Sequence, residues 1–362
     1  MNEFIYLDAS ATYQKPQSVI DAQVDFLENH YANAGRGVCA VAVAVDEMVG
    51  RVRRHVADFM NTRPDNIVFT SGTTASMNMI VHMLDITPDT MVAVSDLDHH
   101  SARLPFVMSG GRVCTCPLDN NLNYDLDKVP YADVLILSAM SNVIGAAQKI
   151  PEIVRIAREK NPSVVVVVDC AQYVVHEKID ADAWGADFIC WSGHKIGADT
   201  GLGVMYIRNP DLYMPVNFGG GMVNRIMGNA IDFVHGPERF EAGTLPLTQI
   251  SGLGVAIDAL VNNRPNMDLI RYMYGELAQI PGVRLLSKNE SAILTFVVEG
   301  MHPLDLGMLI GANGVCVRAG NMCATWIHER LGIAGSVRAS VGGYNTMQDV
   351  MRFVEIVRDI VK

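Results

Sequence analysis

No apolar run in this 362-residue sequence reaches the roughly 18 residues needed to cross a bilayer. Its first residues, Met1-Asn2-Glu3-Phe4, lack the charged start and apolar core of a secretory signal. Neither membrane nor export is therefore expected. Positive charge is scarce as well: 28 Lys and Arg stand against 39 Asp and Glu, for a net charge of −11, with no basic block anywhere. Nucleic acid and anionic lipid are poor partners for such a chain. Cysteine occurs without forming a framework. Seven residues, an odd number scattered from Cys39 to Cys323, fit a reducing cytoplasm better than a set of disulfides. Cys114 and Cys116 are too close for a usual zinc pair and no second pair completes four ligands, so no metal site is expected. Repeats and low-complexity segments are also absent. No Gly-x-Gly-x-x-Gly follows an early strand with an acidic residue about 20 positions later, which argues against a dinucleotide fold. Gly219-Gly220-Gly221 reads as a turn.

What is present is a long alternation of strand and helix patterns in a chain that is 49% hydrophobic and 19% charged, the balance of a folded protein. Apolar β-rich runs occur at 67–70, 91–94, 113–116, 134–137, 164–168, 188–191 and 204–207. Helical patterns lie between several of them, at 41–60, 75–84 and 151–160. This rhythm predicts an α/β fold with a mainly parallel sheet covered on both faces. From about Pro265 the order changes to helix 267–279, strands 283–286 and 292–298, helix 304–311, strand 315–318, strand 336–340 and helix 347–361. The expected organisation is a large domain over 15–264 and a small α+β domain made of 1–14 and 265–362.

Candidate chemistry gathers where strands end. Ser192-Gly193-His194-Lys195 follows one strand and Asp169-Cys170-Ala171-Gln172 another. A lysine among small residues at a strand's carboxyl end suits a Schiff base, and a carboxylate on a neighbouring strand suits a pyridinium nitrogen. Together they suggest pyridoxal 5′-phosphate (PLP) across the carboxyl ends of the sheet. Thr70-Ser71-Gly72-Thr73-Thr74 opens a helix, where backbone N–H groups and hydroxyls hold phosphate; simple N-capping by Ser71 or Thr73 is the plainer alternative. His99, in Asp98-His99-His100, is placed to stack on a planar ring and shuttle protons. Asn142 is placed to reach a ring oxygen or a substrate carboxylate. Arg318-Ala319-Gly320-Asn321-Met322-Cys323-Ala324 sets a thiol in a polar loop, with Arg318 and Arg338 on either side. Positive neighbours favour a nucleophilic thiolate, and Arg338 offers a fork for a carboxylate.

The same stretches, with Tyr6-Leu7-Asp8-Ala9-Ser10-Ala11-Thr12, Arg36-Gly37-Val38, Ser141-Asn142-Val143-Ile144-Gly145, Arg239-Phe240-Glu241-Ala242-Gly243-Thr244 and Val337-Arg338-Ala339-Ser340, run nearly end to end. Together they resemble the class V aminotransferase superfamily of fold-type I PLP enzymes. Within it they are similar to the cysteine desulfurases, and Arg-x-Gly-x-x-Cys-Ala on a short loop resembles the SUF-type (group II) form. The resemblance implies that Lys195 carries PLP, His99 stacks on its ring, Asp169 pairs with the ring nitrogen, and Gln172 and Asn142 approach the ring oxygen. It implies that Thr73, Thr74, Ser192 and His194 hold the phosphate, with Thr244 reaching it from the partner of a homodimer. Arg338 would bind the carboxylate of L-cysteine, with Arg318 nearby. Cys323 would take its sulfur as a persulfide, release alanine, and pass the sulfur to a small acceptor protein for iron–sulfur cluster or thio-cofactor assembly. Three alternatives remain at this point. Two are lyases of the same group, acting on selenocysteine or on cysteine sulfinate; the third is a weakly catalytic PLP-fold regulator of sulfur assembly.

The chain departs from the pattern in three places. Ile196-Gly197-Ala198-Asp199-Thr200-Gly201 replaces the usual Leu-Tyr-Gly-Pro-Thr-Gly, which predicts a carboxylate near the cofactor. Asn321 and Met322 stand where two histidines are common. Thr325-Trp326 replaces Gln-Pro.

Overall fold

Seven of the β-rich runs pair into one sheet in the order Ile67–Thr70, Gly203–Ile207, Phe188–Ser192, Val165–Asp169, Val134–Ser138, Met91–Val94 and Arg112–Thr115. All run parallel except Gly203–Ile207, which is antiparallel to both neighbours. In this computed structural model, residues 4–35, 37–288 and 291–362 are described. Arg36 of the Arg36-Gly37-Val38 stretch lies outside them.

The central strands carry no polar alternation because both their faces are covered. Leu135, Leu137, Val166, Val168, Ile189 and Trp191 enter one core, which includes Val45 and Val56 from helix Ala40–Phe59 and Leu253 and Ile257 from helix Leu247–Asn262. Ile136, Val167, Phe188 and Cys190 enter the other, with Met77 and Ile80 of helix Thr73–Met83 and Phe106 of helix His100–Val107. Helices Gln17–Asp25 and Leu247–Asn262 were not expected from the sequence. Their apolar pattern is broken by glycine and polar residues, and Gly252 is where the Gln23 side chain packs closest.

A second sheet, antiparallel throughout, has the order Val283–Leu285, Leu294–Val298, Ser336–Ala339, Arg318–Gly320. Helices Met267–Leu277, Pro303–Ala312 and Met347–Val361 share its core through Met273, Leu306, Phe353 and Phe296. The strand expected over 315–318 is two strands. Val315–Cys316 pairs in parallel with Ile5–Tyr6, and Arg318–Gly320 joins the four-stranded sheet. The N-terminal segment has captured the first part of the run. It then continues between the two sheets, with Ser10 N donating to Ser340 Oγ at 2.8 Å and Tyr13 N to His194 O at 3.0 Å.

Every chemistry-bearing stretch of the large sheet except Thr244 therefore lies at one rim, the carboxyl ends of the parallel strands. Gly203 begins the antiparallel strand at that rim, facing Gly72. A Cβ on Gly203 would lie 2.5 Å from Gly72 Cα and 2.9 Å from Trp191 O, both backbone atoms that cannot step aside cheaply. Gly203→Ala is expected to lower stability by about 1–3 kcal/mol, the usual cost of overpacking, read as a reduced urea midpoint with an unchanged slope.

Candidate active site

The rim encloses a cavity of about 380 Å³ lined by residues from both sheets and from the N-terminal segment. Lys195 enters it from the single turn Gly193–Ile196 that follows strand Phe188–Ser192. Its Nζ donates to the carbonyls of Ser10 at 2.6 Å and Ala11 at 3.2 Å. Burial, and then the positive charge of Arg338, bring the ammonium down to about 8. A substantial neutral fraction therefore exists near neutrality, as a nucleophilic or basic amine requires.

Asp169 closes the adjacent strand and is 6% exposed. Burial raises its carboxyl to about 6, against a hydrogen bond from Ala171 N at 2.9 Å that favours the ionised form. A buried carboxylate of this kind is stabilised by any cationic N–H brought to it. His99 caps helix His100–Val107: Ser101 N donates to its Nδ1 at 3.2 Å, with Ser101 Oγ 2.7 Å from the same atom. The proton of the neutral ring consequently sits on Nε2. Burial, then Lys195, hold the imidazole neutral by lowering it to about 4. His194 is lowered to about 4 for the same two reasons, and its Nδ1 lies 3.1 Å from Thr12 Oγ1.

At one end of the cavity helix Thr73–Met83 presents its first turn. Thr73 N and Oγ1 both lie 2.9 Å from Ser192 Oγ. Gly72 supplies the turn with φ 138°, a backbone region that side-chain-bearing residues rarely enter. A helix N-terminus of this kind, with Thr73, Thr74, Ser192 and His194 around it, suits an anion.

The opposite wall carries the arginines and the thiol. Arg338 is 2% exposed; it donates to Asn142 O at 2.9 Å and to Asp8 Oδ1 at 3.2 Å. Arg318, half-exposed, donates to the other oxygen of Asp8 at 2.5 Å. Cys323 is exposed, on the loop between strand Arg318–Gly320 and helix Thr325–Arg330. Met322 and Cys323 adopt φ values of 51° and 54°. Left-handed backbone costs a non-glycine residue roughly 1–2 kcal/mol. Two bonds hold the loop in place: His100 N to Cys323 O at 2.8 Å and Asn142 Nδ2 to Met322 O at 2.8 Å.

Four buried polar atoms of the lining residues have no partner among the described residues: Ser10 Oγ, Asn142 Oδ1, Gln172 Oε1 and Arg338 Nε. Buried polar atoms are rarely left unpaired. Four around one cavity, beside a helix N-terminus, a lysine and a buried carboxylate, describe a site built for a polar ligand.

The Aminotransferase class-V family pattern matches residues 5–353. The chain belongs to this family. It is 33% identical, over 97% of its length and 92% of the relative's, to a probable cysteine desulfurase of Pseudomonas putida. It is 31% identical to a cysteine desulfurase of Salmonella agona, over 96% of this chain and 91% of that one. Among solved structures, the apo cysteine desulfurase from Thermococcus onnurineus NA1 superposes with a TM-score of 0.94 at 28% identity, covering 99% and 95% of the two chains. The Escherichia coli cysteine desulfurase CsdA, in an S-sulfonic acid form, gives 0.90 at 30% identity over 99% and 94%. Class V aminotransferase folds are PLP-dependent, of fold type I.

Within this class V chain, Lys195, Cys323, His99, Thr73, Thr74, Asn142, Asp169, Gln172, Ser192, His194, Arg318 and Arg338 all line the one cavity. Thr244 does not; it borders separate hollows near Arg53 and Glu241. There Glu241 takes a fork from Arg53 at 2.7 and 2.8 Å and a bond from Phe69 N at 2.6 Å, which fixes the start of the Ala242–Thr244 turn against the edge strand. The expectation for Asp199 is corrected. Its carboxylate pairs with Lys15 and with the Gln23 amide, and it is not among the residues that line the cavity. The acidic substitution thus anchors the post-lysine turn to the N-terminal segment and helix Gln17–Asp25. Sequence reasoning missed Asp8 and Ser10. Asp8 stood inside a recognised stretch, but the ion pairs that define its role join residues more than 300 positions apart, and Ser10 acts through a carbonyl that no side-chain pattern reveals.

Proposed function

We propose that this chain is a PLP-dependent cysteine desulfurase that converts L-cysteine to L-alanine and leaves the sulfur on Cys323. The observation that carries this reading is the gathering of Lys195, Asp169, four partnerless polar atoms and the Cys323 loop around one cavity. The residues present fit the cofactor: Lys195 would bind it covalently, His99 would stack on its ring, and Asp169 would pair with the ring nitrogen. Asn142 and Gln172 would reach the ring oxygen, and Thr73, Thr74, Ser192 and His194 would hold the phosphate. Bound there, PLP serves as the electron sink that makes the substrate's Cα proton removable.

The chain's own groups supply the rest. Arg338, with donors to spare on a buried guanidinium, holds the substrate carboxylate, and Asp8 keeps it and Arg318 in register. Lys195, with its lowered ammonium, takes and returns protons at Cα. His99, neutral, with its proton on Nε2, serves as a donor on the neighbouring side. The Cys323 thiolate attacks the substrate sulfur: an S–S bond forms as the Cβ–S bond breaks, and the electron pair left on the carbon skeleton is protonated. The net change is L-cysteine plus thiol to L-alanine plus persulfide, which needs no external oxidant or reductant. An exposed persulfide on a short loop suits delivery to a small acceptor protein and supports the SUF-type assignment. In a homodimer, Thr244 would complete the phosphate site of the partner. A reducing cytoplasm suits all seven free thiols.

One prediction tests the lysine's environment. Only the neutral amine adds to an aldehyde, so a lowered ammonium extends reactivity to lower pH. The rate at which apoprotein takes up PLP, followed by absorbance, should rise about tenfold per pH unit and level off near pH 8. A rate still climbing at pH 10 would assign Lys195 an ordinary, water-exposed amine.

A further inference from the structure

We infer that Trp326 and Thr325, with His100 and Arg103, form a clamp that positions the Cys323 loop. The inference rests on the reading of Cys323 as the sulfur-accepting thiol. Cys323 and Met322 sit in a strained backbone region, and within the loop only the Ala324 N to Asn321 O turn at 2.9 Å and one long bond of 3.4 Å from Cys323 N to Asn321 Oδ1 are found among the described residues. The restraint comes from the helix that His99 caps. Thr325 N donates to His100 Nε2 at 3.4 Å, so Nε2 is unprotonated and takes the Thr325 hydroxyl at 3.0 Å as well. The Trp326 ring is gripped on two sides. The His100 ring meets it edge-on at 5.2 Å and 77°, and the Arg103 guanidinium lies over its face at 4.0 Å.

Arg103 is itself tethered. It donates to Ser95 O at 3.1 Å and Asp96 Oδ1 at 3.4 Å, and the other Asp96 oxygen pairs with Arg330, at the end of the Cys323 loop's own helix, at 3.5 Å. A planar guanidinium over an indole face is attracted by the ring's quadrupole and favours one geometry. The thiol's loop and the helix bearing His99 are therefore locked as one unit. Thr325 and Trp326 also stand at one of the three places where the chain departs from the pattern it resembles. They are positioning residues, since neither lines the cavity.

The test uses the PLP-loaded enzyme and four variants: Trp326→Ala, Trp326→Phe, Thr325→Val and Cys323→Ser. Alanine release gives kcat and KM for L-cysteine, and iodoacetamide labelling followed by peptide mass spectrometry gives the alkylation rate of Cys323. Trp326→Ala is expected to lower kcat on the order of tenfold with KM little changed, because a small misplacement of a reacting group acts on the transition state. Its Cys323 should alkylate faster as the loop is freed, while the cofactor absorbance stays the same. Trp326→Phe, which keeps a ring for Arg103 and His100, should recover most of kcat. Thr325→Val, a nearly isosteric change, should show the same split at smaller size, and it decides the matter should Trp326→Ala not fold. Unchanged kcat and alkylation in Trp326→Ala and Thr325→Val would overturn the clamp, as would a rise in KM alone or no recovery in Trp326→Phe. Wild-type alanine release from Cys323→Ser would instead overturn the reading beneath it.

Discussion

Lys195→Ala is expected to abolish alanine formation, by at least about 1,000-fold, because in the proposed function one amine both anchors the cofactor and moves the Cα proton. The substitution removes no packing on which the sheet depends. Lys195 is bonded to two backbone carbonyls of the N-terminal segment, Ser10 and Ala11, and the rim strands are held by their own ladders. The variant should fold and still collect PLP through the Thr73 helix N-terminus and Asp169, but without a covalent link. PLP should therefore wash out on gel filtration, whereas in the parent chain borohydride should fix it to the peptide carrying Lys195. A variant that retained activity, or a parent labelled at another lysine, would remove the foundation of the site.

Cys323→Ala is expected to reduce sulfur release from L-cysteine by about 100-fold or more while leaving the cofactor's absorbance and its response to substrate intact. The separation follows from geometry. Cys323 reaches the cavity from the second sheet's loop, and none of the Thr73, Asp169 or His99 contacts passes through its side chain. Loss of a nucleophile that forms a covalent intermediate costs at least this much where no other group can replace it, and the remaining cysteines lie outside this cavity lining. The same variant sorts the substrate alternatives. An enzyme acting chiefly on selenocysteine or cysteine sulfinate depends less on the thiol and would keep most of its activity on those substrates.

Much of the large sheet could be read from the chain because its strands are buried on both faces. Uninterrupted runs such as Val165–Asp169 admit few other structures, and the parallel order follows from the helices between them. That Ser192, His194, Lys195, Asp169 and Thr73 meet at one cavity was equally readable, since each is fixed by the strand or helix end it sits on. What was not readable depends on pairings distant in sequence. The strand at 315–318 divides because Ile5–Tyr6 competes for its first half. Asp8 becomes the arginine hub only once residues 318 and 338 are brought to it. Asp199 looked like an intruder near the cofactor because its two partners, Lys15 and Gln23, lie 184 and 176 positions away in sequence. Thr325 and Trp326 read as departures, and only the fold sets them against His100 and Arg103.

The central claim is transfer of the substrate's sulfur to Cys323, and a single-turnover experiment tests it most directly. The PLP-loaded protein is mixed with one equivalent of L-cysteine without an acceptor, alanine is quantified, and the protein is digested for mass spectrometry without reductant. The account predicts one alanine per active site and a mass gain of one sulfur atom on the peptide carrying Cys323. Alanine formed with free sulfide and an unmodified Cys323 peptide, or sulfur found on another cysteine, would contradict it.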